Sequence, residues 1–223
     1  MIWIFAALLV IWGNVVNYFV QPALPGGDWA AVSWGAALVA VSLGVARLLR
    51  QRRGDLGLVR GDPRGIGAAA AVALVAAAVG TAVLRVGPIV GAPIGYQPLS
   101  ATTPDALALH IVLFLPLAAV IPEEVAFRGV LLGGLWTRTG ARKAVVGSSA
   151  AFALWHAFVV WVTLLQTSLA GTALAWLAGM AALVFVAIGG AVLALLRIRS
   201  GGIAAPVVAH WAFDATLLVG LWV

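Results

Sequence analysis

Apolar runs of 18 or more residues recur from one end of the chain to the other, and the short stretches between them carry most of the charge. At a rise of about 1.5 Å per residue, a helix of that length crosses the hydrocarbon core of a bilayer. The pattern predicts an all-α, polytopic transmembrane bundle of about seven helices, at residues 2–20, 29–49, 66–86, 106–136, 143–165, 170–196 and 203–222. The first run, opening MIWIFAALLV, has no basic residue ahead of it. Asn14 and Asn17 interrupt it without a small-residue cleavage pattern, so it reads as a retained span rather than a signal peptide. The fourth run is too long for a simple span and contains Pro116 and Pro122. Each proline removes a backbone donor and crowds the preceding turn, which predicts a kinked or broken helix. One integral membrane domain over residues 1–223 accounts for the whole chain. The Pro- and Gly-rich stretch GPIVGAPIGYQPLSATTPD, residues 87–105, reads as an external loop.

Composition strengthens this picture. Of 223 residues, 64% are hydrophobic and 9% charged, against about 25% charged in soluble domains. The net charge of +6 would suggest nucleic acid in a soluble protein. Here Arg47, Arg50, Arg52, Arg53, Arg60 and Arg64 crowd the second connection, Arg138, Arg142 and Lys143 the fourth, and Arg197 and Arg199 the sixth. That distribution predicts cytoplasmic even-numbered connections, with the N-terminus inside and the C-terminus outside. The partner of the basic residues is then anionic lipid headgroup, and no nucleic acid is expected. The Arg-rich, Lys-poor, Ala-rich composition points toward a bacterial cell membrane. There is no cysteine, which excludes disulfides, thiolate metal sites and a Cys nucleophile.

Against this background a few polar residues are out of place. Of seven acidic residues, Asp28, Asp55, Asp62 and Asp105 fall in connections, whereas Glu123, Glu124 and Asp214 lie inside apolar segments, as do His110, His156 and His210. Ionisable groups in hydrocarbon cost several kcal/mol unless paired or hydrated, so each is a functional candidate. Glu123 is 15 residues from Arg138, His156 is 13 from Lys143 and His210 is 11 from Arg199. These separations place all three in one layer, roughly 16 to 22 Å from the basic edge. His110 lies toward the other end of its span and reads as structural or interfacial. Glu124 and Arg128 are four apart and share a helix face, whereas Glu123 is rotated by about 100° from Glu124. One carboxylate is therefore expected to be structural and the other to work. Phe152 with His156, and His210 with Asp214, are also i, i+4 pairs.

EEVAFR matches an EExxxR motif, FALWH matches FxxxH, and HWAFD matches HxxxN/D, in that order on successive membrane helices. In this the chain resembles the CPBP family of intramembrane endopeptidases, which includes the CAAX prenyl proteases and the bacterial Abi proteins. The resemblance covers a motif-bearing core at residues 106–220. It implies a glutamate-dependent protease with a polar, water-filled cavity inside the bundle, acting on membrane-embedded, membrane-associated or lipidated peptides. Carried over, Glu123 is the general base, His156 helps it to position and activate water, and His210 with Asp214 stabilises the oxyanion. Glu124, Arg128 and Phe152 support the site. Where many members carry Asn this chain has Asp214, and a carboxylate donates a hydrogen bond only when protonated.

No cofactor is expected on this reading. A zinc site of Glu123, His156 and His210 is the nearest alternative, and a non-enzymatic immunity or scaffold role is a second. The cavity mouth is expected beside the basic fourth and sixth connections, with access from the cytoplasm or laterally from the bilayer.

Overall fold

The computed structural model describes residues 1–20, 25–86 and 99–222. The stretch 87–98, most of the expected external loop, lies outside these residues. Among the described residues the chain is helical, without a β-strand, and seven helices are long and apolar enough to cross a membrane. They are α1 (Ile2–Phe19), α2 (Gly27–Leu48), α4 (Pro63–Val86), α5 (Pro104–Thr139), the pair α6 (Ala141–Trp155) and α7 (Ala157–Leu165), which together make one span, α8 (Ala173–Ser200) and α9 (Ala204–Trp222). A single-turn helix, α3 (Arg53–Leu56), lies in the basic second connection. The protein is an integral, multi-pass membrane protein, and each of the seven predicted spans is present.

Helix α5 is the centre of the bundle. Ala126, Phe127, Val130, Leu131, Leu132 and Leu135 are fully buried, surrounded by Phe5 and Leu9 of α1, Leu38 of α2, and Phe152 and Trp155 of α6. The outer faces of α4 and α8 carry Val72, Val75, Val79, Trp176, Leu177, Met180 and Ile188 in exposed positions, as a lipid-facing surface requires. A smaller cluster joins α4, α8 and α9 through Ala69, Ala73, Leu193, Ala205, Ala209 and Ala212. Small side chains let these backbones approach closely, the usual source of helix association where lipid tails remove the hydrophobic driving force.

Pro116 and Pro122 do not break α5. The helix runs through both with right-handed backbone angles, and the strain is taken up by wide turns over His110–Phe114, Pro116–Val120 and Val125–Leu131. Wide, π-type turns are uncommon and concentrate at functional sites. Side chains from neighbouring segments donate to carbonyls within them: Trp211 Nε1 to Ile111 at 2.8 Å, Ser148 Oγ to Phe127 at 3.0 Å and Gln51 Nε2 to Val130 at 2.9 Å. In a medium without water these donors offset the irregular backbone.

The basic face is more closely packed than a purely topogenic role for its arginines requires. Arg197 is buried and donates to the carbonyls of Gly54, Asp55 and Gly201 at 2.8, 3.1 and 3.1 Å, fastening α3 to the end of α8. His110 lies at the opposite face. Its Nδ1 is 3.8 Å from Asp28 Oδ1, and both side chains are exposed.

Candidate active site

Glu123 and Glu124 follow the second wide stretch of α5, and their adjacency turns the two carboxylates to different surroundings. Glu124 is fully buried. Its Oε1 forms an ion pair with Arg128 Nη1 at 2.9 Å and lies 2.9 Å from Nδ1 of His210 on α9. Arg128, also fully buried, reaches Gly190 O of α8 at 3.5 Å, and its guanidinium carbon stands 4.0 Å above the Phe152 ring. A desolvated cation over an aromatic face adds to the ion pair. One turn of α5 thus ties together α6, α8 and α9.

His210 is held from both sides. Nδ1 faces Glu124, and Nε2 lies 3.3 Å from Asp214 Oδ2 on the next turn of α9. Neither ring nitrogen is left over for a further partner.

Glu123 has a different environment. It is 9% exposed, and its Oε2 has no hydrogen-bond partner among the described residues. The same oxygen lies 3.8 Å from Nε2 of His156. His156 marks the break between α6 and α7, with φ −89° and ψ 1°. Its Nδ1 lies 2.8 Å from the Phe152 carbonyl. A carbonyl can only accept, so Nδ1 carries the proton, and in the neutral ring Nε2 presents a lone pair toward Glu123. The Phe152 ring packs edge-on against both histidines, with centroids at 4.4 Å from His156 and 5.8 Å from His210. It is the spacer between the two halves of the site.

The break at His156 is secured by a residue whose role the sequence pattern did not expose. Asn14, in the wide-turned second half of α1, donates through Nδ2 to Leu154 O at 2.8 Å and to Val10 O at 2.7 Å, and its Oδ1 accepts from Phe158 N at 2.8 Å. It bridges the interrupted backbone on either side of His156. Gly13 beside it has no room for a side chain, because a Cβ there would meet Trp155. An asparagine next to a glycine in an apolar span was the available signal, but nothing in the spacing said which helix it would reach.

Glu123 and His156 line a cavity of about 320 Å³, together with Trp12, Asn17, Trp34, Gly35 and Trp155. Its other walls come from Ala31 and Leu38 of α2, Ala118 and Ala119 of α5, and Val159 of α7. Gly35 brings α2 against the carbonyls of Leu117 and Ala118, where a Cβ would intrude. Ala118 and Ala119 precede Glu123 on a helix whose far end carries Arg138, and Val159 follows His156 on the way from Lys143. The cavity therefore extends from the Glu–His pair away from the basic connections. The mouth expected beside the fourth and sixth connections is on the opposite side. Depth counting placed the acidic and histidine layer but carried no information on which helices gap apart.

The structure brings Glu123 to His156, and Glu124, Arg128, His210 and Asp214 into one chain. His210 and Asp214 are not among the residues lining the cavity. The zinc set of Glu123, His156 and His210 does not assemble, since both nitrogens of His210 face carboxylates. Among the described residues no three His, Asp or Glu side chains are grouped to hold a metal.

Residues 105–216 match the family model of the type II CAAX prenyl endopeptidase Rce1-like proteins. The chain belongs to this family. It is an intramembrane endopeptidase, and the matched segment contains every glutamate, histidine, arginine and aspartate of the two clusters. Comparison with curated proteins and with solved structures finds no match. Both Asn14 and the α1–α2 wall of the cavity lie outside the matched segment.

Proposed function

We propose that this endopeptidase hydrolyses a peptide bond of a membrane-embedded, membrane-associated or lipidated substrate with water activated by Glu123 and His156. The observation that carries the reading is Glu123 Oε2, buried, without a hydrogen-bond partner among the described residues and 3.8 Å from His156 Nε2 on the wall of an intramembrane cavity. A water at the apex of this pair donates one proton to each acceptor and turns a lone pair toward the cavity. Glu123 takes a proton from the water as its oxygen bonds to the scissile carbonyl carbon. The carbonyl oxygen becomes an oxyanion, the C–N bond then breaks, and Glu123 returns the proton to the leaving nitrogen. The products are a carboxylic acid and an amine.

The remaining residues hold this pair in place. Glu124, Arg128 and Phe152 fix α5 against α6 and α8. His210 and Asp214 extend the lock to α9 rather than reaching substrate, a reading supported by the carboxylate on each ring nitrogen. The side-chain oxygen of an asparagine accepts from His210 Nε2 as a carboxylate does. Asp214→Asn is therefore expected to keep peptidase activity within about threefold of wild type, and Asp214→Leu to lose about tenfold through the partly buried contact with His210. Steady-state rates of the two purified variants check this, and a near-complete loss in Asp214→Asn would show that a charged Asp214 is needed.

With the arginine-rich connections in the cytoplasm, the cavity serves the outer half of the bilayer. Membrane peptides released by cells carrying wild type or Glu123→Ala test both statements. Peptides from the outer halves of membrane segments are expected with wild type alone. Equal release from both strains would remove the catalytic reading, and Glu123-dependent release from cytoplasmic segments would reverse the side of access.

A further inference from the structure

Asn17, with Tyr18 beside it, is a polar side chain of the cavity wall that neither of the two clusters uses. It lies three residues beyond Asn14 in the wide-turned half of α1, is half-buried, and lines the same cavity as Glu123 and His156. Asn14 is saturated by three backbone partners. Asn17 has none among the described residues. A primary amide inside a membrane helix, facing a cavity and unpaired, is free to bind whatever enters that cavity, water or a ligand.

The rest of the wall states what that ligand is. Trp12 and Trp34 meet edge to face at 5.7 Å, and with Trp155 and Val159 they provide apolar surface, while Gly13, Ala31, Gly35, Ala118 and Ala119 leave width for a backbone. Among the described residues, no Lys or Arg lines the cavity. A free C-terminal carboxylate would find no counter-charge there, and neither would an acidic side chain. An amide side chain offers a donor and an acceptor together, the complement of one peptide group.

We propose that Asn17 is a substrate-binding residue that pairs with the backbone of an extended, uncharged, apolar peptide segment and seats an internal bond of it at Glu123 and His156. This rests on the glutamate–water reading given above. Nδ2 donates to a substrate carbonyl and Oδ1 accepts a substrate N–H. Because α1 and α2 lie outside the family-matched segment, the chain supplies its chemistry from one region and its choice of substrate from another.

The test uses the full chain, purified and incubated with isolated cell membranes, with cleavage products identified by mass spectrometry. Four proteins are compared: wild type, Glu123→Ala, Asn17→Leu and Asn17→Gln. Asn17→Leu removes both hydrogen-bonding groups at nearly constant volume, and with no internal partner lost it is expected to melt within a few degrees of wild type. Glu123-dependent cuts should fall inside uncharged apolar segments. Their rate should drop about tenfold or more in Asn17→Leu, as expected when substrate polar groups are left unpaired on binding, and recover in part in Asn17→Gln, which restores the amide. Glu123-dependent cuts that continue undiminished in Asn17→Leu, or that cluster beside free C-termini or charged residues, overturn the inference and leave the glutamate reading standing. A drop that Asn17→Gln does not relieve at all, or one accompanied by a lowered melting temperature, assigns Asn17 to packing and also overturns it. Products that are the same with Glu123→Ala, or no products from any of the four, overturn the glutamate reading and this inference with it.

Discussion

A Glu123→Gln variant is expected to lose about 1,000-fold in peptidase rate while melting at or above the temperature of wild type. Glutamine keeps the shape of the side chain and cannot take a proton from water, and a positioned base accounts for roughly 100- to 10,000-fold in rate. The stability half follows from the surroundings. Among the described residues Glu123 Oε2 is buried with no hydrogen-bond partner, and its nearest ionisable neighbour is His156 at 3.8 Å. Neutralising such a group removes a desolvation cost, so activity and stability should move in opposite directions. Single-turnover rates together with a thermal melt in detergent check both. A variant that loses rate and melting temperature in parallel would mean that Glu123 holds the fold rather than the water.

Arg128→Met should do the reverse, with its main effect on the fold. Both members of the Glu124–Arg128 pair are fully buried, and Arg128 also covers Phe152 and reaches the Gly190 carbonyl. Removing the cation breaks a buried ion pair and leaves Glu124 with His210 as its remaining partner, a change that costs about 3 to 5 kcal/mol in buried pairs. The loss should be visible as a collapse of the thermal transition. In the double variant Glu124→Gln with Arg128→Met, no uncompensated charge remains, and the glutamine still accepts from His210 Nδ1. It is expected to recover much of the lost stability, since apolar replacement of a buried ion pair is often close to neutral. A double variant as unstable as Arg128→Met alone would mean that the guanidinium acts through its packing on Phe152.

These two predictions separate residues that sit side by side in the chain, and that separation was legible before any fold was known. A carboxylate four residues from an arginine shares its face and the preceding carboxylate does not, because helical rotation is local and bilayers leave the backbone little alternative to a helix. The seven spans follow from the same constraint. So does the common depth of Glu123, His156 and His210, which needs only a rise per residue and a basic edge.

What the sequence could not supply were the partners across helices. Both His210 and His156 stood at the depth of the two glutamates. Only the rotation and tilt of α9 and α6 against α5 assigned the first to Glu124 and the second to Glu123. Those angles are set by alanine and glycine contacts spread over several helices, and no spacing within one segment encodes them. The same holds for Asn14, a polar residue in an apolar run until packing carries it 140 positions along the chain to the break beside His156. It holds also for the cavity, which lies among α1, α2, α5 and α7, on the face away from the arginines. Local helical geometry determined which carboxylate stays clear of Arg128, and tertiary packing decided which histidine meets it and on which side of the pair the cavity lies.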